Sequence, residues 1–199
     1  ACDGMVLPKQ QSFADWNQSL PVGSASSRRT LQFQMQYPAC TVHPIRGNVL
    51  TRLEKLDRGE YGALILAEAG LQRLGLEHRI TRRFSPAEIV PAAGQGILAV
   101  QGRAGEYTAL LQRLNDPQAA FCAKIERAVS KALNGDCTAP IGAYADLQGE
   151  HVTLYGFYAE DGVGIKSTLT GSVTQAESLA NTFAEQLKQQ VQEKKEAML

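Results

Sequence analysis

Short apolar runs alternate with helical patterns along the first half of the chain, and this alternation constrains the fold more than any other feature. The runs are Met5–Leu7, Thr41–Ile45, Ala63–Leu66 and Ile97–Val100. Between two of them, Asn48 is placed to cap a helix and Gly59 is placed to end it. Strands that alternate with helices favour an α/β sheet with crossover connections.

Residues 31–37 fit two structures. Their apolar side chains alternate strictly with polar ones, which is typical of a strand. Their residue types nevertheless favour a helix, which Ser26 or Ser27 would cap and Pro38 would close. The local pattern by itself leaves both interpretations open.

The second half of the chain has a different pattern. Asp116 followed by Pro117 predicts the start of a helix, and Thr174 with Glu177 forms a capping box that predicts the start of a later one. Three strand-like stretches separated by hairpin turns lie between them: Pro140–Leu147, His151–Ala159 and Gly164–Ser172. We expect a small α+β domain, a three-stranded antiparallel sheet backed by helices.

The composition, with 44% hydrophobic and 20% charged residues, indicates a globular chain with a core. Twenty Lys and Arg residues balance twenty Asp and Glu residues, so nothing in the net charge points to nucleic acid or a membrane as partner. The four cysteines are Cys2, Cys40, Cys122 and Cys137. They form no CxxC pair and lie far in sequence from the histidines, so we expect no metal site, reduced thiols and a cytoplasmic protein.

Arginine is concentrated in one part of the chain. Residues 20–110 contain ten Arg and one Lys, whereas the rest contains two Arg and seven Lys. A guanidinium grips a carboxylate or a phosphate with two hydrogen bonds, which a lysine ammonium cannot do. The excess of arginine therefore indicates an anionic ligand.

Several of these arginines follow apolar runs, where open α/β sheets bind their ligands. Four of them are predicted to converge on one anionic ligand: Arg28, Arg29, Arg46 and Arg52. The alternative is that arginines of this region are surface residues paired with acids such as Asp57. That alternative is favoured for a second group: Arg58, Arg79, Arg82 and Arg83.

Two further segments have both a structural and a functional interpretation. Residues 91–96, with Gly94 and Gly96, form either a tight turn or a backbone segment that approaches a ligand closely. Cys137 lies in a predicted loop just after a helix. It is either an inert thiol or an exposed one that can react.

Five motifs follow one another along the chain: VGSASSRR at 22–29, IRGNVLTRLEKLD at 45–57, LILAEAGLQRLG at 64–75, AAGQG at 92–96 and ERAVSKALNGDCTAPIG at 126–142. Their order resembles that of the hydroxymethylbilane synthase (porphobilinogen deaminase) family. The resemblance covers about residues 20–145. It favours the helical interpretation of residues 31–37 and a periplasmic-binding-like α/β domain.

The resemblance implies a dipyrromethane cofactor attached through a thioether to Cys137. The family condenses four porphobilinogen molecules head to tail into hydroxymethylbilane and releases ammonia each time. Because each pyrrole has an acetate and a propionate, the growing polypyrrole would need many arginines. By position, the residues implied to bind cofactor and substrate are Ser26, Arg28, Arg29, Arg46, Arg52, Arg73, Gln95 and Gly96.

The resemblance also implies that something is missing. The family has an N-terminal domain with a catalytic Asp beside a Lys, and this chain contains no Lys-Asp dipeptide. We therefore expect a fragment without the first domain, inactive alone and monomeric. Its parts would be the carboxylate-binding domain at 1–95, a hinge at 96–114 that packs on the absent domain, and the cofactor-bearing domain at 115–199.

The chain departs from the family pattern at two positions. Asp136 stands where the family has Gly, and Ala25 replaces a hydroxyl residue.

Two other functions are possible for this sequence. A non-enzymatic carboxylate-binding module would use the same arginines without needing Cys137. A structural or regulatory piece of a larger enzyme is the other alternative.

Overall fold

The computed structural model of the chain describes residues 2–134 and 139–198. Its strands are β1 (Asp3–Val6), β2 (Val22–Gly23), β3 (Val42–His43), β4 (Ala63–Ala67), β5 (Ile80–Arg83), β6 (Ile141–Gln148), β7 (His151–Glu160) and β8 (Val163–Ser172). Its α-helices are α1 (Ser27–Gln36), α2 (Val49–Asp57), α3 (Glu68–Arg73), α4 (Thr108–Leu114), α5 (Pro117–Ala132) and α6 (Ala176–Glu196). Within these two ranges, no helix combines the length and the apolar character needed to cross a bilayer.

The first half forms a mixed five-stranded sheet in the order β3-β2-β4-β1-β5. Strand β2 pairs in parallel with β3 and β4, and β1 runs antiparallel between β4 and β5. Helices cover both faces, because Met5 of β1 packs in one cluster with Phe33 of α1, whereas Val6 packs in another with Leu56 of α2. The predicted α/β fold with crossover helices is confirmed.

Residues 31–37 are helical up to Gln36, so the helical interpretation is correct. Ser26 caps α1 by accepting a hydrogen bond from the Arg29 N–H. The strict alternation misleads because only Phe33 of the apolar residues is fully buried, while Met35 is 45% exposed. Helix α2 also begins as predicted, since the Asn48 side chain accepts from the Thr51 N–H.

The prediction of a strand at Ile97–Val100 is wrong. These residues adopt no regular structure, and Leu98 and Val100 are 74% and 63% exposed. A run of apolar residues becomes a strand only where a sheet edge pairs with it and a core covers it. Neither is present for this run within the described ranges.

The second half folds as predicted into an antiparallel sheet, β6-β7-β8, backed by α5 and α6. Asp116 caps α5 and Pro117 occupies its first turn. The capping box at Thr174 is a wrong prediction. Ser172 instead caps a short 3₁₀ turn over Val173–Gln175 that precedes α6.

Residues 88–93 join the two domains and are held from both sides. The buried Gln32 of α1 accepts from the Val90 N–H at 2.7 Å and donates to the Val90 carbonyl at 3.1 Å. From the other domain, the Ala143 N–H of β6 donates to the Pro91 carbonyl at 2.9 Å. The connection is therefore ordered, and it fixes how the two sheets face each other.

Replacement of Gly142 by Ala is expected to disturb this junction. A Cβ atom at Gly142 would lie 2.7 Å from the Val90 carbonyl oxygen and 2.9 Å from the Val90 Cβ. Because the backbone of Val90 cannot easily move away from the added methyl group, we expect Gly142→Ala to lower the free energy of unfolding by about 1–3 kcal/mol. Urea denaturation of the purified chain measures this change.

Gly70→Ala is the matched control for that experiment. Gly70 lies in α3, and the nearest neighbour of an added Cβ there is a methyl of Val49 at 3.8 Å. Since Ala is the better helix former, stability should stay equal or rise by about 0.5–1 kcal/mol. Equal denaturation midpoints for wild type and Gly142→Ala would contradict the close packing of this junction.

Candidate functional site

The sheet topology gathers three helix starts at one edge. Strands β2, β3 and β4 run parallel, so their carboxyl ends lie together, and α1, α2 and α3 begin just beyond them. Arg28 and Arg29 lie in the first turn of α1, and Arg52 lies in α2. The predicted placement of these arginines at the carboxyl ends of strands agrees with the structure.

A cavity of about 1030 Å³ opens beside this edge, between the two domains. The first domain contributes the start of α1, including Ser26 and Arg28, and the turn around Gly94. The second domain contributes Arg127 from α5 and Ala139 from the segment before β6. The N-terminus of α1 supplies positive potential to this space.

Arg28 and Arg29 are held by a carboxylate that the sequence analysis did not identify. Asp3 is fully buried at the start of β1. Its Oδ2 accepts from Arg28 Nη1 at 2.9 Å, and its Oδ1 accepts from Arg29 Nε at 2.8 Å. An acidic residue at the head of a fully buried strand is the signal in the sequence that points to such a buried ion pair.

Gln95 completes this cluster. Its amide nitrogen donates to Asp3 Oδ1 at 3.0 Å, and its Oε1 accepts from Arg28 at 3.1 Å and from Arg29 at 3.2 Å. The next residue, Gly96, accepts through its carbonyl from Arg73 Nη2 at 2.7 Å. Gly94 and Gly96 both have positive φ, which explains the glycines of this turn.

Arg46 and Arg52 lie at the same sheet edge but do not line the cavity. Arg46 is exposed and Arg52 is half-buried, and Arg52 Nε donates to the Gly47 carbonyl at 2.8 Å. The Arg46 side chain has no hydrogen-bond or ion-pair partner in the parts of the chain that the structure describes. The structure thus brings together Ser26, Arg28, Arg29 and Gln95, with Arg73 and Gly96 adjoining and Arg46 and Arg52 further out.

The second group of arginines is structural. Arg58 pairs with Glu60, Arg79 with Asp57, Arg82 with Glu88, and Arg83 with Glu68. Their predicted pairing with acids is confirmed, whereas the predicted surface position holds for Arg58 and Arg83 but not for Arg79, whose side chain is 12% exposed.

Cys137 lies outside the described residues, so its environment stays a prediction. The nearest described residues are Asn134 and Ala139, and Ala139 lines the cavity. Burial raises the pKa of the thiols of the other three cysteines, Cys2, Cys40 and Cys122. A raised pKa lowers the thiolate fraction, so these three are poor nucleophiles.

Three polar residues of α5 were not predicted from the sequence to belong to the site: Glu126, Arg127 and Ser130. Arg127 and Ser130 line the cavity, and Glu126 is buried beside it. The Glu126 carboxylate accepts from the Gly94 N–H at 2.7 Å and from an N–H of β6 at 2.9 Å. The local pattern does not single out Glu126, because Lys124 flanks the same apolar stripe of α5 and is exposed.

Comparison with known proteins identifies relatives of both domains. A family model described as "Porphobilinogen deaminase, dipyromethane cofactor binding domain" matches residues 1–110, and one described as "Porphobilinogen deaminase, C-terminal domain" matches residues 120–189. The chain is 51% identical to the porphobilinogen deaminase of Acetivibrio thermocellus over 92% of its own length. It is 46% identical to that of Alkaliphilus oremlandii over 94%. It spans 62% of the length of each of these curated relatives.

The pH dependence of the free energy of unfolding should reveal how burial changes the pKa of Glu126. Burial raises the pKa of this carboxyl against the opposing effect of its two N–H donors. The Glu126 carboxyl therefore binds a proton more tightly in the folded state than in the unfolded state, where the pKa of a Glu side chain is about 4.3. The contribution of Glu126 to stability is present below that value and is lost as pH rises through the raised pKa.

Glu126→Gln removes this titration. We expect the difference in free energy of unfolding, wild type minus variant, to fall as pH rises from about 4 to 8. Glu177 on α6 is the control, because Lys124 lowers its pKa and any contribution must have the opposite slope. A pH-independent difference for Glu126→Gln would show that the carboxyl does not titrate as described.

Proposed function

The chain belongs to the porphobilinogen deaminase family, and from that premise we propose that it is the cofactor-bearing part of a hydroxymethylbilane synthase. The reaction would condense four porphobilinogen molecules into hydroxymethylbilane and release one ammonia for each unit. The observation that carries the proposal is the cavity between the domains, which is lined by Ser26 and Arg28 on one side and by Ala139 on the other. Ala139 follows Cys137 by two positions, so the proposed attachment site and the arginines would serve one space.

The residues present fit a dipyrromethane. Such a group has several carboxylates, and the cavity has cationic side chains from both domains, Arg28 and Arg127. The cavity volume of about 1030 Å³ falls at the upper end of the range for small-molecule sites. When bound, the group would supply the pyrrole carbon to which new units are joined.

Each residue of the site has a proposed role that follows from its chemistry. Arg28 and Arg29 would bind carboxylates at the start of α1, and Ser26 would orient that helix turn. Arg46, Arg52 and Arg73 would bind the carboxylates of a lengthening chain. Gln95 and Gly96 form the turn whose bonds to Arg28 and Arg73 hold it against the cavity. The Cys137 thiolate would be the nucleophile for cofactor attachment.

We further propose that the catalytic Asp of the family belongs to sequence outside this chain. The chain spans 62% of the length of its relatives, and residues 97–114 expose several large apolar side chains: Ile97, Leu98, Val100, Leu110 and Leu114. Several exposed apolar side chains in one segment are what a contact with another domain would cover. It supports a hinge segment that packs on another domain. We keep as proposals that the whole protein is monomeric and cytoplasmic and that its first domain is periplasmic-binding-like.

Cys137→Ser is expected to abolish cofactor attachment. In the full-length protein to which this chain is proposed to belong, intact-mass measurement should find a dipyrromethane adduct on the wild type and none on the variant. Hydroxymethylbilane formation should be lost with it. Cys122→Ser, a matched loss of a half-buried thiol, should keep both. An adduct mapped to any other residue would contradict the assignment.

The 199-residue chain alone should form no hydroxymethylbilane. It retains the arginines and the cysteine but, under this proposal, lacks the group that manages protons on the pyrrole nitrogens. The measurement is product formation from porphobilinogen, with the full-length protein as positive control. Sustained turnover by the isolated chain would place the catalytic acid or base among residues 1–199.

A further inference from the structure

The pairing of two arginines with one acid leaves an imbalance of charge inside the protein. Arg28 is 4% exposed and Asp3 is not exposed at all, while the Arg29 side chain is 14% exposed. Gln95, the fourth member of the cluster, is neutral. The cluster therefore has two positive charges and one negative charge in a region that water barely reaches.

Asp3 bonds both guanidiniums at once. It uses Oδ2 for Arg28 and Oδ1 for Arg29, so the two cations, which repel each other, are held in fixed orientations about one carboxylate. Burial lowers the pKa of Arg28, Arg29 adds to that effect, and Asp3 opposes it. Without Asp3, two adjacent buried cations would remain, and an unpaired buried charge costs far more than a pair.

Only part of this cluster reaches the cavity. Arg28 lines it, whereas Asp3 does not. A ligand in the cavity would therefore contact Arg28 and not Asp3. Asp3 satisfies some of the guanidinium donors and leaves one net positive charge for an anion.

We propose that Asp3 is a positioning residue, an internal counter-carboxylate that holds Arg28 at the cavity wall with Arg29 beside it and leaves the pair one net positive charge for a ligand carboxylate. The role of counter-carboxylate stands on the geometry of the cluster. The identity of the ligand rests on the proposed function. The ordering of Gln95 by the same carboxylate couples the orientation of the arginines to the turn at residues 91–96.

Chemical rescue tests the counter-carboxylate directly. Asp3→Gly leaves a gap of carboxylate size between the guanidiniums, and Asp3→Asn fills the gap without charge. We expect the melting temperature of the full chain to fall by roughly 6–20 °C in both variants. Sodium formate should raise the melting temperature of Asp3→Gly well above its value in sodium chloride of equal ionic strength. Formate should not raise that of Asp3→Asn.

Asp57→Gly is the matched control. Asp57 accepts two hydrogen bonds from one arginine, Arg79, at 3.2 and 2.7 Å. Unlike Asp3, the Asp57 side chain is 20% exposed. Formate should leave its melting temperature unchanged. If Asp3→Gly does not fold in chloride, the refolding yield in formate against chloride is measured in its place. An Asp3→Asn variant as stable as wild type, or an Asp3→Gly variant that formate does not help, overturns the proposal.

A binding measurement distinguishes two roles of Asp3: orienting the arginines for a ligand, and only stabilising the fold. Calorimetric titration with porphobilinogen, below the melting temperature of each variant, should find Asp3→Gly roughly tenfold or more weaker than wild type, with affinity recovered in formate. Unchanged affinity in a folded Asp3→Gly variant would overturn the positioning role. If the wild-type chain does not bind porphobilinogen, the titrations are repeated with the full-length protein. Absence of binding there too defeats the proposed function, while the formate experiment still decides the role of Asp3.

Discussion

The bonds of the buried Asp3 carboxylate to Arg28 and Arg29 are the interaction on which the rest of the site depends. They join the first strand of the sheet to the start of α1, and Gln95 extends them to the turn that leads out of the first domain. Two cations cannot be buried side by side without a counter-ion. The burial of Arg28 beside the cavity therefore presupposes Asp3.

The second constraint is the junction between the domains. Residues 88–93 are bonded by Gln32 of α1 on one side and by β6 on the other. Glu126 of α5 reaches back to the Gly94 N–H, so the turn is held by a buried group from each domain. Both walls of the cavity are thus tied to the same short segment by hydrogen bonds, and Val90 of that segment also packs against Phe157 of β7.

Elements whose signals are local were predictable. Asn48 and Asp116 cap helices as their positions indicate, and Asp161-Gly162 turns a hairpin with both residues at positive φ. Predictions failed where the outcome depended on distant neighbours. Ile97–Val100 has the composition of a strand but pairs with no sheet edge among the described residues. Thr174 does not cap α6, because a 3₁₀ turn capped by Ser172 precedes that helix.

The sequence by itself determined the family, the α/β and α+β division, and the placement of arginines at the carboxyl ends of strands, because motif order and strand-end position are properties of the chain as written. Only the tertiary structure decided which arginines share the cavity and which acid holds them. Asp3 is 25 positions from Arg28 and 92 from Gln95. Contacts at such separations arise from sheet pairing and domain packing, which no local pattern encodes.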